Sequence, residues 1–431
     1  MFERVARYWL FFILIFLPFQ GILAGLFQSY SKELSNLILY IDEITVTIFI
    51  PFAIFRFYRG KGFSNRLFII ILSPVLIFLL AGLISGIKNE NSLFVTILGI
   101  FDYLKNFLPL FIYASFVKDF KEFKKLFHII LIVTVILGII AIFQELWALS
   151  NRYIFQPQKD YTGLLWRLGI FRTPSLMIDP SVFGLYCVMI LTVYLSINNK
   201  PSYLYAIPLI TGVLTSVSRI AYTGFMLLGL SQILKGQKWV VVLLIPMIIL
   251  MILIFSIEDI NLLKYLDIDR QFLLYGDEAL INFRDTAREG AILIWKEHFL
   301  IGAGPGSYGG IVSLKYNPSV YGRYKLPSDF IYHLKELGGI DQFWPQLLAE
   351  CGIVGIVSFT MFLVAIIVVL LILKIWASSK EVSGLFTGLI VITLIIFIYS
   401  LYSGLNLTPV LFTYSAFTGM VIGNESQQYS T

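Results

Sequence analysis

The chain has 431 residues, 58% hydrophobic and only 13% charged, with a net charge of +6 at neutral pH. A soluble domain carries roughly half apolar and a quarter charged residues, so too few polar groups are present to coat a surface in water. A disordered chain, a disulfide scaffold and an ordinary cytosolic enzyme are excluded, and because the basic surplus forms no stripe interleaved with exposed aromatics, it points to membrane topology rather than nucleic acid.

Apolar runs bounded by charged or turn residues predict an all-α integral membrane protein of about twelve spans, since a spanning helix needs roughly 20 apolar residues. In chain order the runs are 8–27, 34–55, 67–87, 94–117, 126–148, 180–197, 202–217, 219–234, 239–256, 346–373, 383–402 and 408–423. The short seventh and eighth runs face each other across Ser216 to Arg219 and suit a hairpin that does not fully cross. The basic end Met1 to Arg7 precedes the first run without an A-x-A-like cleavage site, so that run is expected to be retained.

Basic residues recur on alternate sides. Arg4 and Arg7, then Arg56, Arg59, Lys61 and Arg66, then Lys118, Lys121, Lys124 and Lys125, then Lys200, Lys235, Lys238, Lys374 and Lys380 fall in one set of loops. The first two loops of the other set hold only Lys32 and Lys88. The bias places both termini in the cytoplasm. Two long segments then lie on the outer side, 149–179 and 257–345. The simplest partition is an N-terminal bundle over 1–256, a large extracytoplasmic loop over 257–345 and C-terminal helices over 346–431. Within the large loop, Ala287, Ala291, Ile294, Trp295 and Phe299 recur near a helical period, as on an interfacial helix.

Several polar residues could carry chemistry. Arg219 ends Thr215-Ser216-Val217-Ser218-Arg219 between two apolar runs; it reads as an anion site or as a snorkelling end charge. Arg284 and Arg288 share a helical face and suit phosphate oxygens through paired N–H donors, or they pair internally with Asp285 and Glu289. The glycine run Gly302 to Gly310 is not a nucleotide loop, because Pro305 and its outer location argue against one; it reads as an architectural turn, or as backbone that approaches a lipid head group closely. Asp341 stands at the mouth of the tenth run, as a general base or as a helix cap. Glu350, further in, should meet a cation or a helix terminus. Asp102 and Lys105 lie three apart and can neutralise each other; with Asp42 and Glu43 they also suit an ion route. His333 is solitary, and Cys187 and Cys351 read as packing residues, so neither a metal nor a disulfide is expected.

In order, these features resemble the O-antigen polymerase and ligase superfamily of bacterial polysaccharide assembly. The motifs that carry the resemblance are Arg172-Thr173-Pro174-Ser175 through Asp179-Pro180-Ser181-Val182-Phe183-Gly184, and Ser216-Val217-Ser218-Arg219. Arg284 follows, with His298 to Gly306 fourteen residues on, and finally Asp341 through Leu347, Leu348, Glu350, Gly352 and Gly355. Ligase-type members carry a histidine where Asp341 stands, and His333 falls eight residues too early, which favours a polymerase. The resemblance implies a GT-C-type glycosyltransferase in the bacterial inner (plasma) membrane, acting on its outer side. Donor and acceptor would be oligosaccharides on undecaprenyl diphosphate, with no metal, cofactor or nucleotide sugar. A chain-length regulator and a flippase would be further partners.

On that reading Arg219, Arg284 and Arg288 hold the diphosphate, Arg172 positions a second glycan or a phosphate, and Asp341 accepts the proton of the attacking hydroxyl with His333 in reserve. Tyr308, Tyr324 and Trp344 would stack on sugar faces. A ligase moving a finished glycan to another acceptor is the alternative enzyme. A polysaccharide or solute transporter is the alternative of another class; it should show repeat symmetry and broken midplane helices, neither of which the sequence displays.

Overall fold

The computed structural model describes residues 2–28, 30–59, 65–117, 119–148, 166–167, 170–177, 179–198, 201–234, 270–377, 379–405 and 407–428. The ninth expected span, 239–256, and most of the loop 149–179 lie outside them. Nearly all of the described chain is helical; the exception is a hairpin of two short strands, β1 (Trp166–Arg167) and β2 (Ile170–Phe171).

The first apolar run is α1 (Phe2–Phe16) and α2 (Gln20–Gln28), joined by a tight 3-10 turn at Leu17–Phe19 where Pro18 cannot donate to the helix ladder. The second run is broken: α3 (Lys32–Leu39) and α4 (Ile41–Tyr58) meet at 51°. The carbonyls freed by that bend are satisfied from outside, because Gln20 Nε2 donates to the oxygens of Ile38 (3.1 Å) and Leu39 (2.8 Å) as well as to Asp42 Oδ1 (2.8 Å). Such rescue is what allows a break at membrane depth. After α5 (Asn65–Lys88), the fourth run breaks too, with α6 (Leu93–Leu104) and α7 (Pro109–Phe116) at 65°. Pro109 sits at the first turn of α7, where its missing N–H costs nothing and where it stops α6 from continuing. Lys105 lies in this break and bridges Asp102 Oδ1 (2.7 Å) and Glu43 Oε1 (2.9 Å), so the expected Asp102 pair is present and α4 joins it. Broken helices carrying ionisable groups, which the sequence did not display, are therefore part of the fold.

The bundle continues with α8 (Phe120–Ala148), α9 (Pro180–Ile197), the short α10 (Tyr203–Thr215) and α11 (Arg219–Leu234). The lobe follows as α12 (Arg270–Glu297), α13 (Ile311–Tyr316), α14 (Ser319–Arg323) and α15 (Ser328–Leu337). Three helices close the described chain: α16 (Phe343–Ile375), α17 (Lys380–Tyr402) and α18 (Thr408–Gln428). Among the described residues, six helices are long and apolar enough to cross a membrane, and up to eight spans result if each bent pair counts as one. That suits a multi-pass membrane protein, with fewer clear spans than the twelve expected. Besides the run outside the description, α10 and α11 are 13 and 16 residues long, and α18 carries Thr408, Thr413, Ser415, Thr418 and Asn424.

Helix α18 is enclosed, with every residue from Val410 to Asn424 buried. Lipid tails are as apolar as leucine, so close packing rather than exclusion from water holds such a helix. Gly419 and Gly423 let α7 come close, and a methyl group at Gly423 would lie 2.6 Å from the Ala114 oxygen. The lobe has a core of its own, in which Phe283, Ala287, Ala291 and Ile294 of α12 pack with Tyr308, Tyr321, Phe330 and Leu334. The stripe expected to lie on the membrane interface is thus divided: its alanines and Ile294 face protein.

Candidate functional site

Two polar groups meet at the lobe end of the bundle. The first is built on the turn after β2. Arg172 is 8% exposed and reaches across two elements, with Nη2 donating to Ser181 Oγ on α9 (2.9 Å) and Nε directed at the Ser216 carbonyl (3.4 Å). The turns that carry these residues are stitched together by Thr173 N to the Thr215 carbonyl (2.9 Å). Thr173 Oγ1 also donates to Glu145 Oε2 on α8 (2.7 Å), and Gln144 Nε2 to the Ser175 carbonyl (3.0 Å). Both turns hold a non-glycine residue in the left-handed region, Ser175 at φ 53° and Val217 at φ 42°. For a β-branched side chain that conformation is a true outlier and costs about 1–3 kcal/mol, a kind of strain that collects at functional sites. Ser216 and Ser218 are buried beside Val217, and Arg219, half-buried, opens α11.

The second group joins the lobe to α16. Arg284 and Asp341, 57 residues apart, form a salt bridge in which Nε lies 3.0 and 3.2 Å from the two carboxylate oxygens and Nη2 bonds Oδ2. The two residues given separate tasks in the sequence are thus one unit. Asp341 is not the cap of α16: that position is Gln342, whose side chain makes no capping bond. With the Gln342 amide turned so that its nitrogen donates to the Arg284 carbonyl (3.1 Å), its oxygen accepts from Arg288 Nε (3.2 Å). Arg288 also pairs with Asp285 (3.1 Å), both exposed, which is the internal pairing foreseen for it.

Tyr399, near the end of α17, bonds Ser403 Oγ through its hydroxyl (3.1 Å). Asp179 caps α9 through Ser181 N (2.6 Å); Gly384 and Gly388 at the start of α17 back onto Ser196 at the end of α9, so the two helices run antiparallel and Asp179 lies at the same end of the bundle as the Arg284 pair. Gly404 backs onto the Asp341 backbone. Tyr399 and Ser403 sit inside an apolar run and its end, without any local signal of this bond; Asp179 was legible as an Asx-Pro helix start.

Below Asp341 the glycine run closes around a kink. Gly352 takes φ 61° and ψ −160° inside α16, and the donors released there are met by the run that precedes the glycines: Ile353 N bonds the Phe299 carbonyl (3.2 Å) and Val354 N that of Leu300 (3.0 Å). Gly304 N returns to the Glu350 carbonyl (2.8 Å), and the Gly302 carbonyl accepts from Ser85 Oγ (2.7 Å). Residues 302–309 are all buried, so the run is architectural, as its sequence suggested. Glu350 meets neither the cation nor the helix end foreseen for it. Its carboxylate accepts from Tyr103 OH (2.8 Å) and Tyr308 N (2.7 Å).

Of the expected sugar platforms, one is closed off by protein and two are partly buried. Tyr308 is fully buried and donates to the Ala287 carbonyl (2.7 Å), and burial pushes its phenol far up; its faces are not free to stack on a sugar. Trp344 bonds Ser400 Oγ (3.0 Å) and packs among Phe343, Phe359 and Phe397. Tyr324 is half-buried and donates to Glu297 Oε2 (2.8 Å); burial and that carboxylate push it up to about 12. His333, on α15, lies against Phe283 and Tyr332. Among the described residues no three His, Cys, Asp or Glu side chains are grouped to hold a metal ion, and both cysteines are buried and unpaired. Set against known proteins, the chain matches no family model and no curated protein.

Proposed function

We propose that this chain is a membrane glycosyltransferase that polymerises lipid-linked oligosaccharides, with twelve spans in a GT-C-type arrangement and its lobe on the outer face of a bacterial plasma membrane. The observation that carries the reading is the ion pair of Arg284 and Asp341 at the end of the bundle where α9 begins with Asp179. Motifs scattered from Arg172 to Asp341 thereby share one end of the bundle, where a lipid diphosphate would present its charge.

The ion pair suggests an order of events. A diphosphate competes with a single carboxylate for the Arg284 guanidinium, because charge-assisted bonds to more anionic oxygens are stronger. Donor binding would then release Asp341. The acceptor hydroxyl gives its proton to the freed carboxylate while its oxygen forms a bond to the anomeric carbon. The bond from that carbon to the diphosphate breaks, and the leaving diphosphate keeps the electron pair under the charge of Arg284, with Arg219 and Arg172 at the edge of the site. The test uses the reconstituted protein with an undecaprenyl-diphosphate oligosaccharide. Arg284→Ala should lose diphosphate binding, whereas Asp341→Asn should keep or tighten it and lose chain extension. Full extension by Asp341→Asn would remove the base; full extension by both variants would remove the site.

A ligase uses the same chemistry on another acceptor, and deleting the gene separates the two: single capped repeats follow loss of a polymerase, free lipid-linked polymer follows loss of a ligase. The transporter reading draws support from the two broken spans joined through Glu43, Asp102 and Lys105. Solute flux into proteoliposomes that is abolished by Glu43→Gln, without any change in lipid-linked glycans, would favour it.

A further inference from the structure

Helix α12 presents two different surfaces to its exposed side. Asp285, Arg288 and Glu289 are exposed in its middle, followed toward its end by Ile292 (41% exposed) and Leu293 (47%). After Lys296 and Glu297 come Phe299 (52%) and Leu300 (62%). The opposite face is spent on the lobe core, so this second apolar stripe has no protein partner among the described residues. Polarity therefore changes along the helix and not only around it, as on an element that enters a bilayer tip first.

The position of the tip identifies the occupant. The carbonyls of Phe299 and Leu300 are bonded to Ile353 N and Val354 N of α16, so the tip is fixed to a spanning helix at its kink. Directly onward from there, Val357, Met361 and Val364 of α16 form an exposed apolar strip at helical spacing. Gly302 is bonded to Ser85 of α5, beside exposed Ile84 and Ile87. The stripe on α12 is thus continuous with the outward faces of two apolar spanning helices. The flanking groups suit the same layer: the Trp295 ring lies 5.1 Å from that of Phe299, tilted by 37°, and donates to its carbonyl (3.1 Å), and Lys296 has a long stem that can carry its charge up to the head groups.

We propose that the side chains of Ile292, Leu293, Phe299 and Leu300, on the end of α12 and the turn that follows it, are inserted into the acyl layer of the membrane as an anchor for the lobe, with His298 and its charged neighbours at the head-group level. This inference does not rest on the proposed reaction. It adds a constraint to the site, because the same rigid helix carries Arg284 about 20 Å along its axis from the tip. Lipid contact at one end fixes the placement of the arginine at the other.

The test places a nitroxide on Phe299→Cys and on Leu300→Cys in the full protein reconstituted into phosphatidylcholine and phosphatidylglycerol vesicles. The native cysteines are buried, so the label goes to the introduced thiol. Met361→Cys on the α16 strip and exposed Asp329→Cys on α15 serve as the lipid and water references. At both tip positions, collision with oxygen should exceed collision with a water-soluble nickel chelate several-fold, as at 361 and in the opposite sense to 329. Chelate-dominated collision at either tip position would overturn the anchor, and so would shielding from both reagents, which a second copy or another protein seated on the stripe would give.

Discussion

Gly352→Ala should strongly destabilise the protein. At φ 61° and ψ −160° the residue occupies a region essentially restricted to glycine, which costs another residue about 1–3 kcal/mol. The added carbon would also lie 2.6 Å from Gly302 N and from the Leu300 carbonyl. Those are backbone atoms tied down by Ile353 N, Val354 N and Gly304 N, so they cannot rotate aside, and overpacking adds a further ~1–3 kcal/mol. The sum, about 2–6 kcal/mol, is a large part of the ~5–15 kcal/mol that holds an ordinary domain together. Thermal unfolding of the purified protein in detergent, followed with a thiol-reactive dye, reads the effect next door, since Cys351 is 1% exposed and reacts only when the kink opens. Gly25→Ala is the matched control: it is helical with nothing within 4 Å of the added carbon and should be neutral or stabilising by up to about 1 kcal/mol. If the two variants melted together with the parent protein, the glycine clamp would not be held by backbone geometry and the reasoning would fail.

Tyr103→Phe should cost about 1–3 kcal/mol in the same assay, because the buried Glu350 carboxylate loses one of its donors; no loss would mean that Glu350 is held from elsewhere. Lys105→Met leaves Glu43 and Asp102 without their shared cation and should destabilise by about 1–3 kcal/mol, with part of the loss recovered by adding Glu43→Gln. His298 is held below its ordinary value by burial, against Glu297 and with Arg323 and Lys88 reinforcing it. On acidification the unfolded chain therefore takes up that proton first. The stability this group provides is complete above its unfolded value of about 6.5 and is lost as pH falls through the lower folded value. Melting curves between about pH 8 and pH 5 should steepen their decline below pH 6.5 in the parent and flatten in His298→Gln.

What was legible in the sequence followed from local pattern. Apolar runs locate α5, α8, α9, α16 and α17 within a few residues, because a spanning helix must satisfy its own backbone and announces itself by length. The breaks were not legible. Nothing between 34 and 55 marks Tyr40 as a bend, since the group that makes it tolerable is Gln20, contributed by a different helix. The same applies to the site. Arg284 stood out for sharing a helical face with Arg288, and Asp341 for its place at the mouth of a span, yet their pairing spans 57 residues and follows only from how α12 docks on α16. Periodicity found the stripe of Ala287, Ala291 and Ile294 but could not distinguish a face that meets protein from one that meets lipid, because both are apolar. Tyr308 and Trp344 were selected for aromatic character alone, and a buried tyrosine and a sugar-stacking one look alike before packing is known. Glu350 was expected to need a cation; two tyrosines, one 247 residues away, meet it instead.

The enclosed position of α18 bears on how the protein is made. This helix leaves the ribosome after every element it packs against, and it is polar enough that Thr413, Ser415 and Thr418 would be poor company for lipid. It therefore gains little by partitioning alone from the translocon into the bilayer, and its slot beside α7 must wait, unfilled, while about 290 further residues are synthesised. A nascent chain arrested before Thr408 would present the quality-control machinery with an open seam lined by Leu110, Tyr113 and Ala114, residues that are fully covered only when α18 arrives.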